Sequence, residues 1–282
     1  MTGVLAQLIS LAAYGNEWLA TGRLPAGFYP GNPAFSFCNT VDFREVDGSN
    51  ESVVAADPEA WYRYLAEQGC GALRLYYRPA EPQYEASAQP NGSQARPQPS
   101  VREHQLAGMI GGNGIWLIEA IFDSHSDFWA NRWVVTRRDD PDKLIWSVNY
   151  LRNYIHQPTA NLQFNLSVAA AELLGALGAI LQFALQNQLM TWADFFKNAM
   201  ARLGSDDPAL GYYYTDLLPA EAYGLEARRL LYTAGSAWAF GGMGSWNDLG
   251  FENPATQQAY DEVSARLYQA VNTAFVASVN SV

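Results

Sequence analysis

The sequence is poor in the residues that usually announce chemistry, with two cysteines and three histidines among 282 residues. Cys38 and Cys70 show no C-x-x-C spacing and have no histidine beside them, so neither a zinc knuckle nor a thioredoxin-type pair is present, and both read as buried, reduced thiols. Charge is scarce as well: 16% of residues are charged, and 17 basic against 28 acidic residues leave a net charge of −11. No window concentrates positive charge, and the densest basic spot, Arg137 and Arg138, runs straight into Asp139, Asp140 and Asp142. Nucleic acid is therefore not an expected partner, because phosphate binding needs a concentrated positive face. No lysine or arginine precedes the apolar run at residues 4–13, and the first cation is Arg23. Without a secretory n-region, the expected location is the cytoplasm. The longest apolar stretch, residues 167–185, is interrupted by Glu172 and Gln182, diluted by alanine and glycine, and has no basic flanks. It reads as a helix buried in a globular layer, with no membrane expected.

What is present is core material. Apolar residues make up 49% and aromatics 13% of the chain. A chain of this mass folds to a surface of about 12,000 Å² from roughly 45,000 Å² extended. Disordered, collagen-like and disulfide-stapled classes are excluded. Residues 4–20 carry apolar side chains at helical spacing and stop near Gly22 and Pro25. Phe35, Phe37, Val41 and Phe43 alternate as a strand would place them, and Asp57 before Pro58 reads as an N-cap with proline at the first helical position. Residues 72–78 read as a strand ended by proline, and residues 79–100, rich in proline, serine and glutamine, as a long loop that serves as a solvated excursion or as a lid.

The clearest β signal follows. Residues 104–110, 115–122, 128–137 and 144–154 are short, aromatic or β-branched, and separated by turn chemistry at 111–114, 123–127 and 138–142, which predicts an antiparallel meander with Trp116, Trp129, Trp133 and Trp146 on its faces. After Pro158 the period changes to 3.6. Helices are expected at about 167–188, at 192–203 behind a capping box of Thr191 and Asp194, from Pro219 to about 240, and from Asn253 and Pro254 onward, the last with Tyr260, Val263, Leu267, Val271, Ala274 and Phe275 in one stripe. The expected fold class is α+β: an antiparallel β-meander with flanking helices at 1–160, then a helical bundle at 161–282.

Chemistry-bearing constellations are few. Gly111, Gly112 and Gly114 lack the lysine and the strand-to-helix context of a phosphate cradle and read as a hairpin turn. Asp123, His125 and Asp127, with Glu119 in phase, point to one side of an extended chain and are weak candidates for a divalent metal, although one strand makes a poor ligand set. His104 and His156 add no metal spacing. Neither Ser236 nor Ser245 lies in G-x-S-x-G. No cofactor is implied. Residues 238–251, with four glycines and four aromatics, admit two readings: a glycine-ended helix whose Trp246 plugs a gap while Asp248 caps backbone amides, or a recognition surface built on Trp238 and Trp246.

The stretch GGMGSWND at 241–248, with LLYTAGSAWAF before it, and HQLAGMIGGNGIWLIEA at 104–120, resembles segments of bacterial proteins of the immunity type, which neutralise polymorphic toxins. That resemblance implies a non-enzymatic protein that occludes a basic toxin domain. No contact residue is carried over from the resemblance; on their own chemistry Asp139, Asp140 and Asp142 would steer approach, and Trp238, Trp246 and Asp248 read as candidate binding residues. Two alternatives stand beside it: a hydrolase using residues 119–127, and a small-ligand or glycan binder built on the tryptophans, which predicts an open aromatic groove instead of a closed core. Oligomeric state is not legible.

Overall fold

The computed structural model describes residues 1–79, 103–107, 114–159 and 164–282. The chain opens with α1 (Gly3–Thr21), started by Thr2, whose side chain accepts from the Leu5 amide at 3.3 Å, and ended by Gly22 at φ +70°. Residues 5–15 of α1 are buried on every side, as expected of a helix apolar all round. Gly15 lets it approach the sheet: a Cβ there would lie 2.3 Å from Leu73 Cδ1 and 2.7 Å from the Tyr62 ring. A helical turn, α2 (Phe28–Gly31), precedes the hairpin of β1 (Cys38–Asp47) and β2 (Asn50–Ala55), turned by Gly48 at φ +59°. Asp57 caps α3 (Pro58–Glu67), accepting from the Ala60 amide at 2.8 Å. Then come β3 (Ala72–Arg78), the turn α4 (Glu103–Leu106), β4 (Ile115–Ile121), β5 (Ser126–Val135) and β6 (Trp146–Gln157).

The six strands form one sheet in the order β2-β1-β6-β5-β4-β3, with β1 and β6 parallel and all other neighbours antiparallel. The meander is β3 to β6. The expected strand at 104–110 is corrected: residues 103–106 form a helical turn, 108–110 lie outside the described residues, and β3 holds that edge. The expected loop at 80–100 and the turn glycines 111 and 112 also lie outside them. Phe35 belongs to a 3₁₀ turn, and β1 begins at Cys38. On the inner face, Phe43 stacks on Trp61 at 4.2 Å and on Tyr150 at 5.1 Å, with Trp129 edge-on to both Phe43 and Trp61. The outer face carries a polar belt across four strands, in which Arg132 donates to both carboxylate oxygens of Glu51 at 2.6 and 2.7 Å and Asn149 bridges Arg132 to Asp42.

The second half is helical: α5 (Leu166–Gln186), α6 (Met190–Ala201), α7 (Leu225–Ser236) and α8 (Pro254–Val279). α5 is long and apolar enough to cross a membrane, with a mean hydropathy of 1.9. One face of it, through Leu173, Leu177, Ile180 and Ala184, is buried, and α5 packs on α8; Val168, Leu174 and Leu185 are exposed. Asn253 caps α8 as expected. The capping box does not form: α6 starts at Met190 behind Leu189, which has no side-chain cap. Pro219 starts only a turn, because Gly224 adopts extended backbone and the helix begins after it. Contacts cross residue 160 in several places. The Asn280 side chain brackets Leu75 of β3, accepting from its N–H at 2.8 Å and donating to its carbonyl at 2.9 Å, and Tyr14 of α1 donates to Asp216.

Candidate functional site

α1 covers the middle of the inner face and begins before the face ends. Beyond its first turn the face runs on in Trp116 of β4, Asn131 and Trp133 of β5, and Trp146 of β6, and a cavity of about 820 Å³ opens there. Thr2, Gly3, Val4 and Leu5 of the helix start form one wall; Pro33, Ala34, Phe37 and Cys38 form another, and Tyr214, from the loop between α6 and α7, closes a third. The walls are fixed. Trp133 and Trp146 meet edge to face at 5.8 Å, and Trp116 packs against Tyr77 at 4.4 Å. Gly114 is required beside Trp116, since a Cβ would come 2.5 Å from the Arg78 carbonyl, and its N–H is held by Glu103 at 2.6 Å. Cys38 Sγ accepts from Gln7 Nε2 at 3.3 Å, and Gln7 in turn accepts from Tyr150 at 2.8 Å. Burial pushes the Cys38 thiol up to about 11.

Among the described residues that line this cavity none is charged. Its polar groups are Thr2, Cys38, Asn131 and Tyr214 and the indole N–H groups of the three tryptophans, of which those of Trp116 and Trp133 are buried without a hydrogen-bond partner. An ion entering it would lose hydration without gaining a counter-charge, a cost of several kcal/mol in practice. A neutral ring laid on indole faces meets no such penalty. Burial holds Cys38, one of three hydroxyl or thiol groups here with Thr2 and Tyr214, in its weakly reactive protonated form.

The opposite end of the inner face is filled. Asp127 is fully buried; its Oδ2 accepts from Arg152 Nε at 3.0 Å and from Nη2, and its Oδ1 from the His156 amide at 2.7 Å. Arg152 Nη1 reaches Glu45 at 2.7 Å, and Tyr64 of α3 donates to the same carboxylate oxygen at 2.7 Å. Burial, then the hydrogen bond to Glu45, pushes the Tyr64 phenol up to about 12. His156 holds φ +51°, a left-handed conformation unusual for a residue with a side chain, which aims its N–H at Asp127.

These placements decide the metal candidates. Asp123 is exposed at the β4–β5 turn, His125 stacks on Phe122 at 4.7 Å, Asp127 is committed to Arg152, and Glu119, fully buried, lies 3.8 Å from Arg74. His125 and Asp127 do come together, with His125 Nε2 3.9 Å from Asp127 Oδ2, but Asp123 and Glu119 do not complete a set, and no metal-binding group of three ligands occurs among the described residues. None of the four lines the cavity.

The expected contact residues scatter. Asp139 and Asp142 are exposed on the β5–β6 connection, but Asp140 is spent on the turn itself, accepting from the Asp142 and Leu144 amides at 3.0 and 3.2 Å. Trp246 is corrected as a surface anchor. It is fully buried among Phe183, Trp192, Phe196 and Tyr260, and its indole donates to Ser264 at 2.7 Å, so it plugs the bundle. Asp248 is exposed and caps the Gly244 amide. Trp238 is half-buried against Tyr268 and Phe275. Three of the four meander tryptophans reach the cavity, whereas Trp129 is sealed in the core. Asn131 and Tyr214 are not singled out by the sequence, and Phe37 is expected there only as a strand residue, whereas it precedes β1 and lines the cavity. The alternation that puts Asn131 and Trp133 on the face of Trp129 was the available signal; nothing local marks Tyr214.

No known protein family, curated protein or solved structure matches the chain.

Proposed function

We propose that this protein is a non-enzymatic binder of a neutral, largely apolar small molecule of two or three rings, held between Trp116, Trp133 and Trp146. The observation that carries the reading is a cavity of about 820 Å³ with tryptophan walls and no charged residue among the described residues that line it. That size falls within the range of small-molecule sites, about 300–1,000 Å³. Magnitudes set the ligand's size. At about 25 cal/mol per Å², a single ring burying about 300 Å² gains roughly 7 kcal/mol, of which association removes at least about 4, leaving a millimolar ligand. A ligand burying about 500 Å² nets roughly 8 kcal/mol, near micromolar. Asn131 and Tyr214 would then orient it through one or two hydrogen bonds.

The test is a panel of neutral polycyclic compounds, scored by thermal shift and titration calorimetry on the wild type and on Trp133→Ala. The reading expects saturable binding from uncharged members, weakened at least about tenfold, or 1.4 kcal/mol, by the substitution. Equal binding to Trp133→Ala, or binding only of charged compounds, would sink it.

A second reading, neutralisation of a basic toxin domain, is favoured by the exposed Asp139 and Asp142 and by the net charge of −11. It expects a tight complex with the product of a neighbouring gene, whose association slows when both aspartates become asparagine. Association unchanged by that pair of substitutions counts against it.

A further inference from the structure

We propose that a second cavity, of about 410 Å³, binds a small ring-bearing carboxylate through Arg202. It shares Tyr214 with the first cavity and is lined also by Arg202, Tyr212, Tyr213, Ser236 and Trp238. Arg202, in the 3₁₀ turn that follows α6, is a fixed cation. Its Nη1 donates to the Pro208 carbonyl at 2.5 Å and to the Leu210 carbonyl at 3.1 Å, and the guanidinium carbon lies 5.7 Å from the centre of the Tyr212 ring. Those bonds use one nitrogen, and among the described residues Arg202 makes no ion pair. No acidic side chain is among the described residues lining this cavity. A guanidinium without a carboxylate, in a protein of net charge −11, is a site waiting for an anion.

Two further observations point to an occupant. Ser236 Oγ is buried without a hydrogen-bond partner and belongs to a residue that lines the cavity, so a donor is left unmatched. Gly235 has no room for a side chain: a Cβ would stand 2.5 Å from Tyr212 Oη, so the glycine seats that ring as a fixed wall. The walls are flat and aromatic, with Tyr213 and Tyr214 edge to face at 4.8 Å and Trp238 half-buried, which suits a ring. One guanidinium balances one negative charge. A carboxylate matches it fork to fork, whereas a phosphate dianion would bring an unbalanced charge. The site stands independently of the neutral-ligand reading.

The test is a fluorine NMR titration with para-fluorobenzoate, its neutral isostere para-fluorobenzamide, and phenyl phosphate. Saturable binding of the benzoate is expected, at least about tenfold tighter than the amide and stronger than the phosphate. Arg202→Gln should abolish it and Arg202→Lys should retain part of it. Trp133→Ala should leave it unchanged, which separates this site from the first. Because Arg202→Gln also releases the Pro208 and Leu210 carbonyls, Tyr213→Ala, at an exposed residue, serves as a second variant, expected to weaken binding several-fold with thermal stability unchanged. No saturable benzoate binding, equal binding of the amide, full binding by Arg202→Gln, or phosphate preferred over benzoate would each overturn the proposal.

Discussion

At one end of the sheet's inner face Asp127, Arg152, Glu45 and Tyr64 fill the space with charge and hydrogen bonds; at the other, Trp116, Trp133 and Trp146 face a cavity of about 820 Å³. The strands are the same, and the middle of the face, packed through Phe43, Trp61, Trp129 and Tyr150, is common to both. The difference lies in what covers each end. α3 lays Tyr64 over the polar end, whereas at the other α1 stops at Thr2 and side chains from the 3₁₀ turn and the α6–α7 loop enclose a space they do not fill. Buried charges earn their place only when every one is paired, while an apolar hollow costs dispersion energy that a ligand restores. One end is filled; the other keeps a hollow, which the proposed ligand would occupy.

The sharpest way to break the comparison is to remove Arg152. Arg152→Met leaves Asp127 buried without its cation and should cost about 3–5 kcal/mol, read as a lowered urea midpoint. Trp246→Ala, at a fully buried plug of the helical half, should cost a similar amount, about 3–5 kcal/mol. Alkali should act next, partly through the polar end. The folded Tyr64 phenol sits at about 12 against an ordinary 10, so the native state holds that proton more tightly than the unfolded chain. This contribution is complete below pH 10 and disappears as pH rises toward 12. Stability should therefore fall between pH 10 and pH 12, a fall shared with Tyr232 and Tyr260, which burial also raises to about 12, and Tyr64→Phe should remove one phenol's share of it; a slope unchanged by that share would remove the assignment. Trp133→Ala should have the smallest effect on stability, about 2 kcal/mol for a partly buried side chain, while losing the neutral ligand. A large loss of stability would mean that Trp133 serves the core instead.

Local chemistry was legible in the sequence and assembly was not. Asp57 with Pro58 and Asn253 with Pro254 announce helix starts because an N-cap needs only a side chain and the next amides. The α+β division followed from the change of period after Pro158. By contrast, the parallel pairing of β1 with β6 joins strands about a hundred residues apart, and no short-range pattern records it. Thr191 and Asp194 looked like a capping box, but tertiary packing started the helix earlier. The tryptophans of the meander were visible; that three of them border a hollow depends on Tyr214, which arrives from the helical half. Arg202 carries no sequence signal at all, since its isolation is defined by which acids fail to reach it.

Cys38 borders the cavity, and Cys70 sits at the polar end beside the start of β3. Burial raises both thiols to about 11, so each thiol is compared with itself, free against ligand-bound. The direct test is alkylation at pH 8 by a small neutral thiol reagent, followed residue by residue. An open chamber predicts that a bound neutral ring compound slows the labelling of Cys38 at least about tenfold and leaves that of Cys70 unchanged. Protection of neither thiol, or of both alike, would contradict it.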